Sequence, residues 1–66
     1  MSQTELIKQH LEKGNKITPL QALNLFGCLR LSGRIFDLRH QPYNMPIASE
    51  IIKVNNAHVA QYFLAQ

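Results

Sequence analysis

The run ITPLQALNLFGCLRLSGRIFDLRHQ, from Ile17 to Gln41, leaves the chain few ways to fold. Thr18-Pro19-Leu20-Gln21 reads as a capping box, with Thr18 at N-cap, Pro19 at the first helical position and Gln21 three residues on. It opens a helix that runs from Pro19 to Phe26, and Gly27 breaks it. A second helix follows over about 29–41, starting near Leu29 or Arg30, and Pro42 stops it. Leu31, Ile35 and Leu38, at i, i+4 and i+7, make its core stripe. These are two short helices joined by a tight glycine turn, and their apolar faces need cover from the rest of the chain.

The flanking segments supply that cover. Ser2 and Glu5 form an S-x-x-E capping box in which each side chain is expected to satisfy the other's backbone N–H. The helix it opens puts Leu6, Ile7, His10 and Leu11 on one arc, with Glu5, Lys8 and Glu12 opposite, and Gly14 ends it. Gly14 and Asn15 turn the chain into a short extended piece, Lys16-Ile17. The Pro19–Phe26 helix is nearly all apolar. Only Gln21 and Asn24 face away from Ala22, Leu23 and Phe26, which predicts packing on several sides. Beyond Pro42 the sequence is rich in β-branched residues. Strands are expected over 46–54 and 58–64 around an Asn55-Asn56 turn, since Asn tolerates positive φ. On the second strand Ala60, Tyr62 and Leu64 share one face, and Val59 and Phe63 are on the other or at its margin.

The order is helix, short strand, helix, helix, strand, strand, an α+β arrangement in one domain over 1–66. Ile17 is placed to pair with the C-terminal hairpin as a third strand. This is the order of a winged helix-turn-helix. The run Ile17-Thr18-Pro19, Ala22-Leu23, Gly27 and Leu31-Ser32-Gly33-Arg34-Ile35-Phe36-Asp37-Leu38-Arg39, closed by Ala60-x-Tyr62-x-Leu64, also resembles a family. It is similar to the small helix-turn-helix domain proteins common in bacteria, their phages and prophages, over roughly residues 5–64. The resemblance implies a winged helix that binds DNA. The chain departs from the family pattern after Leu38-Arg39, where His40-Gln41-Pro42-Tyr43-Asn44 stands in place of an early glycine.

Charge points the same way. Lys8 and Lys13 balance Glu5 and Glu12, and Lys53 balances Glu50. The net charge of +3 therefore falls within residues 14–41, on Lys16, Arg30, Arg34 and Arg39 against Asp37. Localised positive charge on a helix pair is the footprint of a nucleic-acid reader. Arg30 and Arg34 lie along one flank of the third helix's core stripe, and Arg39 along the other. Each guanidinium is a donor fork that fits phosphate or the O6/N7 edge of guanine. The alternative is that these arginines snorkel over core edges and pair with acids; Asp37, three residues from Arg34, is placed to pair with it, and Arg34, nearest the core stripe, is the one expected to be structural. Ser32 is a donor on the far side. Gly33, beside it, is a mid-helix glycine that is either merely tolerated or leaves a bare surface on which the helix can approach a duplex closely. Phe36 projects away from the core stripe; cover by the wing or a partner is expected ahead of contact with thymine methyls. Thr18 is first of all a cap, although it marks a helix N-terminus that attracts phosphate, and Gln21 and Asn24 are either plain surface residues or phosphate donors. Lys53, Asn55, Asn56 and His58 surround the hairpin tip, where they suit the backbone or minor groove.

Other classes find less support. No Gly-rich phosphate loop, G-x-S-x-G or H-E-x-x-H occurs, so no enzyme is expected. His10, His40, His58 and the single Cys28 have no zinc spacing, and no metal or cofactor is expected. Cys28 reads as a small buried hydrophobe. One cysteine, no signal-peptide pattern and no long apolar run together predict a cytoplasmic protein, nucleoid-associated when bound. The expected partner is double-stranded DNA, with a homodimer or cooperative assembly upon it. The competing expectation is a protein-interaction module, motivated by Phe36, Tyr43, Val59 and Phe63. RNA is not favoured, because no aromatic platform on a sheet face is evident.

Overall fold

A computed structural model describes residues 2–65; Met1 and Gln66, the ends of the expected 1–66 domain, lie outside the described residues. The elements are α1 (Gln3–Glu12), α2 (Pro19–Phe26), α3 (Leu31–Arg39), β1 (Ile47–Val54) and β2 (Ala57–Leu64). α1 starts at Ser2, whose hydroxyl accepts from the Glu5 N–H at 3.2 Å. The Ser2 hydroxyl in turn donates to the Glu5 carboxylate at 3.5 Å. Gly14, at φ +87°, closes the helix in a Schellman turn. There Gly14 N–H donates to Leu11 O and Asn15 N–H to His10 O, at 3.0 and 3.4 Å.

α2 carries the full capping box. Gln21 N–H donates to Thr18 Oγ1 at 3.2 Å, and Thr18 N–H to Gln21 Oε1 at 3.0 Å. Gly27, at φ +65°, ends the helix in the left-handed conformation that a Cβ resists. Both box bonds are part-buried, so Thr18→Ala is expected to lower stability by about 1 kcal/mol. In a domain of this size that is a melting point lower by about 4–8 °C. Thermal denaturation followed by circular dichroism checks it.

The core is one cluster: Ile7 and Leu11 of α1, Ile17, Ala22 of α2, Cys28, the α3 stripe Leu31, Ile35 and Leu38, then Met45 and Ile47. Phe26, Tyr43, Tyr62 and Leu64 pack around it. α3 is shorter than expected. It begins at Leu31 with Arg30 as N-cap and ends at Arg39, where His40 is already extended at ψ 172°. The residue before a proline avoids helical backbone, and here the departure begins one residue earlier still. Met45 N–H then donates to Leu38 O at 2.8 Å, which pins the connecting loop under the helix end.

β1 and β2 pair antiparallel, from Ile47 against Leu64 to Val54 against Ala57. Asn55 and Asn56, at φ +49° and +66°, form a two-residue turn with both central residues left-handed, the turn that suits a twisted hairpin. The hairpin base leans on the core through Ile47, Tyr62 and Leu64, and its outer half carries exposed Ile51, Lys53 and His58. The expected third strand at Lys16-Ile17 is instead a single bridge. Ile17 N–H donates to Tyr62 O at 2.9 Å, and Tyr62 N–H to Ile17 O at 2.8 Å. The Schellman turn on one side and the Thr18 cap on the other leave no backbone for a longer strand.

The predicted burial of α2 on several sides is not observed. Only Ala22 is buried, while Leu20 and Leu25 are 64% and 59% exposed and Leu23 is also exposed. Three helices of ten, eight and nine residues enclose one small core, and α2 reaches it along a single edge.

Candidate nucleic-acid interface

α3 owes its presentation to its own stripe. Burial of Leu31, Ile35 and Leu38 turns the opposite arc, with Gly33, Phe36, Asp37 and His40, toward solvent. A Cβ built on Gly33 would meet nothing within 4 Å. The helix is therefore bare there, and no packing demand explains the glycine. A shallow open groove of about 280 Å³ crosses this spot, lined by Arg30, Gly33, Arg34, Phe36 and Asp37.

The three arginines differ. Arg30, the N-cap residue, is exposed, and its side chain makes no capping bond. Arg34 reaches Asp37 with Nη1 at 3.4 Å from Oδ2, both side chains near half exposed. So long and wet an ion pair contributes little, and Arg34 can exchange it for a phosphate. Arg39 turns the other way. Its Nε donates to Ile47 O at 3.1 Å, and its guanidinium lies 5.9 Å from the Tyr62 ring centroid. That bond ties the end of α3 to the first residue of β1, so Arg39 braces the hairpin base apart from the Arg30–Arg34 edge, although the residue stays exposed.

The remaining sequence-derived positions divide likewise. Ser32 is exposed on α3. Thr18 is buried and, with Gln21, spends its side-chain oxygen on the capping box; Gln21 and Asn24 are exposed. At the hairpin end Lys53 sits directly across from His58, with Asn55 and Asn56 between, all four exposed. Phe36 is 60% exposed, so the expected cover by the wing is not there. Tyr43, Val59 and Phe63, the other residues behind the interaction reading, are half-buried.

Some features had no signal in the sequence. Lys16, counted among the localised charges, is drawn off by the hairpin: its Nζ lies 3.0 Å from Glu50 Oε1 and 5.0 Å over the Phe63 ring. Gln3 Nε2 donates to Phe26 O and Gly27 O, at 3.3 and 3.1 Å, and clamps the bend between α2 and α3 from α1. The exposed leucines of α2 continue into Leu29, which is 83% exposed. No described helix is long and apolar enough to cross a membrane.

No curated protein and no solved structure matches the chain. A family model described as a winged helix-turn-helix domain matches residues 2–66. The match takes in all three helices and both strands, and the chain belongs to the winged helix-turn-helix domain family.

Proposed function

We propose that the protein binds double-stranded DNA, with the outward arc of α3 in the major groove and the Asn55-Asn56 hairpin tip at the backbone or minor groove. Membership of a winged helix-turn-helix family suggests DNA binding. The observation that carries the reading for this chain is the α3 surface itself. Arg30 and Arg34 flank a glycine with open space above it, on a helix whose other side is anchored in the core. A cylinder that narrow enters a major groove, and a missing side chain brings the backbone nearer to base edges. Arg30, Ser32, Gly33, Arg34 and Arg39 are the proposed contacts on α3. Thr18 and Gln21 serve through the α2 N-terminus, and Lys53, Asn55 and Asn56 through the hairpin. The role is that of a small transcriptional regulator, or an accessory factor in recombination or replication, of the phage or prophage type in a bacterial cytoplasm. The family resemblance supports it.

Titration of fluorescent duplex at two salt concentrations tests the reading. With about four phosphate contacts the log–log salt slope is about −3.6, so binding weakens about a hundredfold between 50 and 200 mM salt. Selection of bound duplexes from a random pool then shows whether a sequence is read. Gly33→Ala separates fold from function. It is expected to raise stability by up to about 1 kcal/mol, because the site is helical and unobstructed. It is also expected to weaken duplex binding, because the new methyl stands between helix and groove. A variant that melts higher and binds as before would remove close approach from the account.

A second reading, self-association, is favoured by the exposed Leu20, Leu23, Leu25 and Leu29. Paired domains gain specificity on adjacent half-sites. Sedimentation over a range of protein concentrations, with and without duplex, tests it.

A further inference from the structure

Phe36 stands apart from the other aromatic residues. Phe26, Tyr43, Tyr62 and Phe63 are all half-buried, whereas Phe36 is 60% exposed. It is nonetheless held in place. His40 stacks on its ring at 4.1 Å between centroids and 30° between planes. The His40 Nδ1 lies 2.7 Å from the Phe36 carbonyl oxygen. A carbonyl only accepts, so Nδ1 carries the hydrogen and the imidazole is fixed against the ring. The ring also borders the groove above Gly33 that Arg30, Arg34 and Asp37 line. An oriented apolar plate thus sits on the same outward arc as the candidate cationic contacts.

What can such a plate meet? In the major groove base pairs present donors and acceptors, and the one apolar group is the C5-methyl of thymine. Phe has no polar atom. Pressed over a purine N7 or a cytosine amino group, it would strip water from a polar edge and give nothing back. Pressed over a methyl, it buries apolar surface on both sides. We infer that Phe36 is a specificity-determining residue that reads a 5-methylpyrimidine beside the Arg30–Arg34 edge, with His40 as its positioning residue. The inference rests on the duplex reading of α3. Thymine and 5-methylcytosine offer the same methyl, and thymine is the expected source.

The test uses the whole protein and duplexes enriched from a random pool. The enriched pool is copied three ways: with thymine, with uracil replacing thymine, and with 5-methylcytosine replacing cytosine. For the unaltered protein, uracil is expected to weaken binding roughly fourfold for each methyl read, the scale of one buried methylene. Phe36→Ser and Phe36→Gln are expected to bind the thymine and uracil pools equally and to keep the salt slope. Both substitutions are at an exposed position, and matching melting curves confirm that the fold is kept. No loss with uracil, joined to a gain with 5-methylcytosine that Phe36→Ser abolishes, assigns the methyl to cytosine. The inference is overturned if neither base change alters binding, or if both variants discriminate as the unaltered protein does. Failure to enrich any duplex would remove the duplex reading itself, and this inference with it.

Discussion

Leu38→Ala is expected to leave a large fraction of the protein unfolded at physiological temperature. Leu38 is fully buried at the centre of the cluster that joins α1, α3 and the hairpin base. Truncating such a leucine costs about 2–5 kcal/mol, the sum of lost transfer energy and the cavity left behind. A chain of 66 residues has only about 3–10 kcal/mol in all. The cavity would open under the carbonyl that Met45 N–H uses at 2.8 Å, so the loop into β1 loosens together with the helix. Urea denaturation followed by circular dichroism is the measurement, and the midpoint should fall by a large part of its value. Leu20→Ala on the same chain is the control. Leu20 is 64% exposed, so truncating it should move stability by less than about 0.5 kcal/mol. Equal losses at the two leucines would contradict the core as described.

That pair of leucines also shows what a sequence can and cannot reveal. Leu38 was legible because burial there follows a local rule: three apolar residues at i, i+4 and i+7 share a face whatever lies opposite. The Thr18–Gln21 box, the helix break at Gly27 and the Asn55-Asn56 turn are local in the same sense, and the structure has all three. The leucines of α2 followed no such rule. Apolarity states that a side chain gains by burial, not that a partner exists, and around α2 no element among the described residues supplies one.

The site divides along the same line. Rotation of about 100° per residue placed Arg30 and Arg34 on one flank of α3 and Gly33 opposite the core, and the i,i+3 spacing foretold the Arg34–Asp37 pair. The bond from Arg39 to Ile47 O depends on where the hairpin docks, as does the ion pair between Lys16 and Glu50, 34 residues apart. Charge summed along a segment had merged four cations into one surface. In three dimensions Lys16 and Arg39 each turn to the hairpin, and Arg30 with Arg34 remains on one edge.

Arg30→Ala is accordingly expected to cause the largest loss of duplex affinity of any exposed substitution. Arg30 is exposed, and its side chain makes no capping bond and, among the described residues, no ion pair, so its charge can turn to DNA. If it grips a guanine edge bidentately, removal costs about 1–3 kcal/mol, a loss of roughly fivefold to 150-fold. If it grips phosphate, the salt slope becomes shallower by about 1 and all sequences suffer alike. Competition titrations against the selected and random duplexes distinguish these outcomes. The melting point should stay where it was. Arg34→Ala should lose less, because part of what Arg34 offers DNA is withdrawn by Asp37 at 3.4 Å. Asp37→Ala should then strengthen binding, since it frees Arg34 and removes a negative charge from a surface facing phosphates. The double variant measures the coupling. Arg39→Ala should lower affinity and melting point together, because its Nε leaves the Ile47 carbonyl without its donor. An Arg30→Ala protein that folds normally and binds duplex as before would move the interface off this edge of α3. The bare surface at Gly33 would then have no partner to explain it.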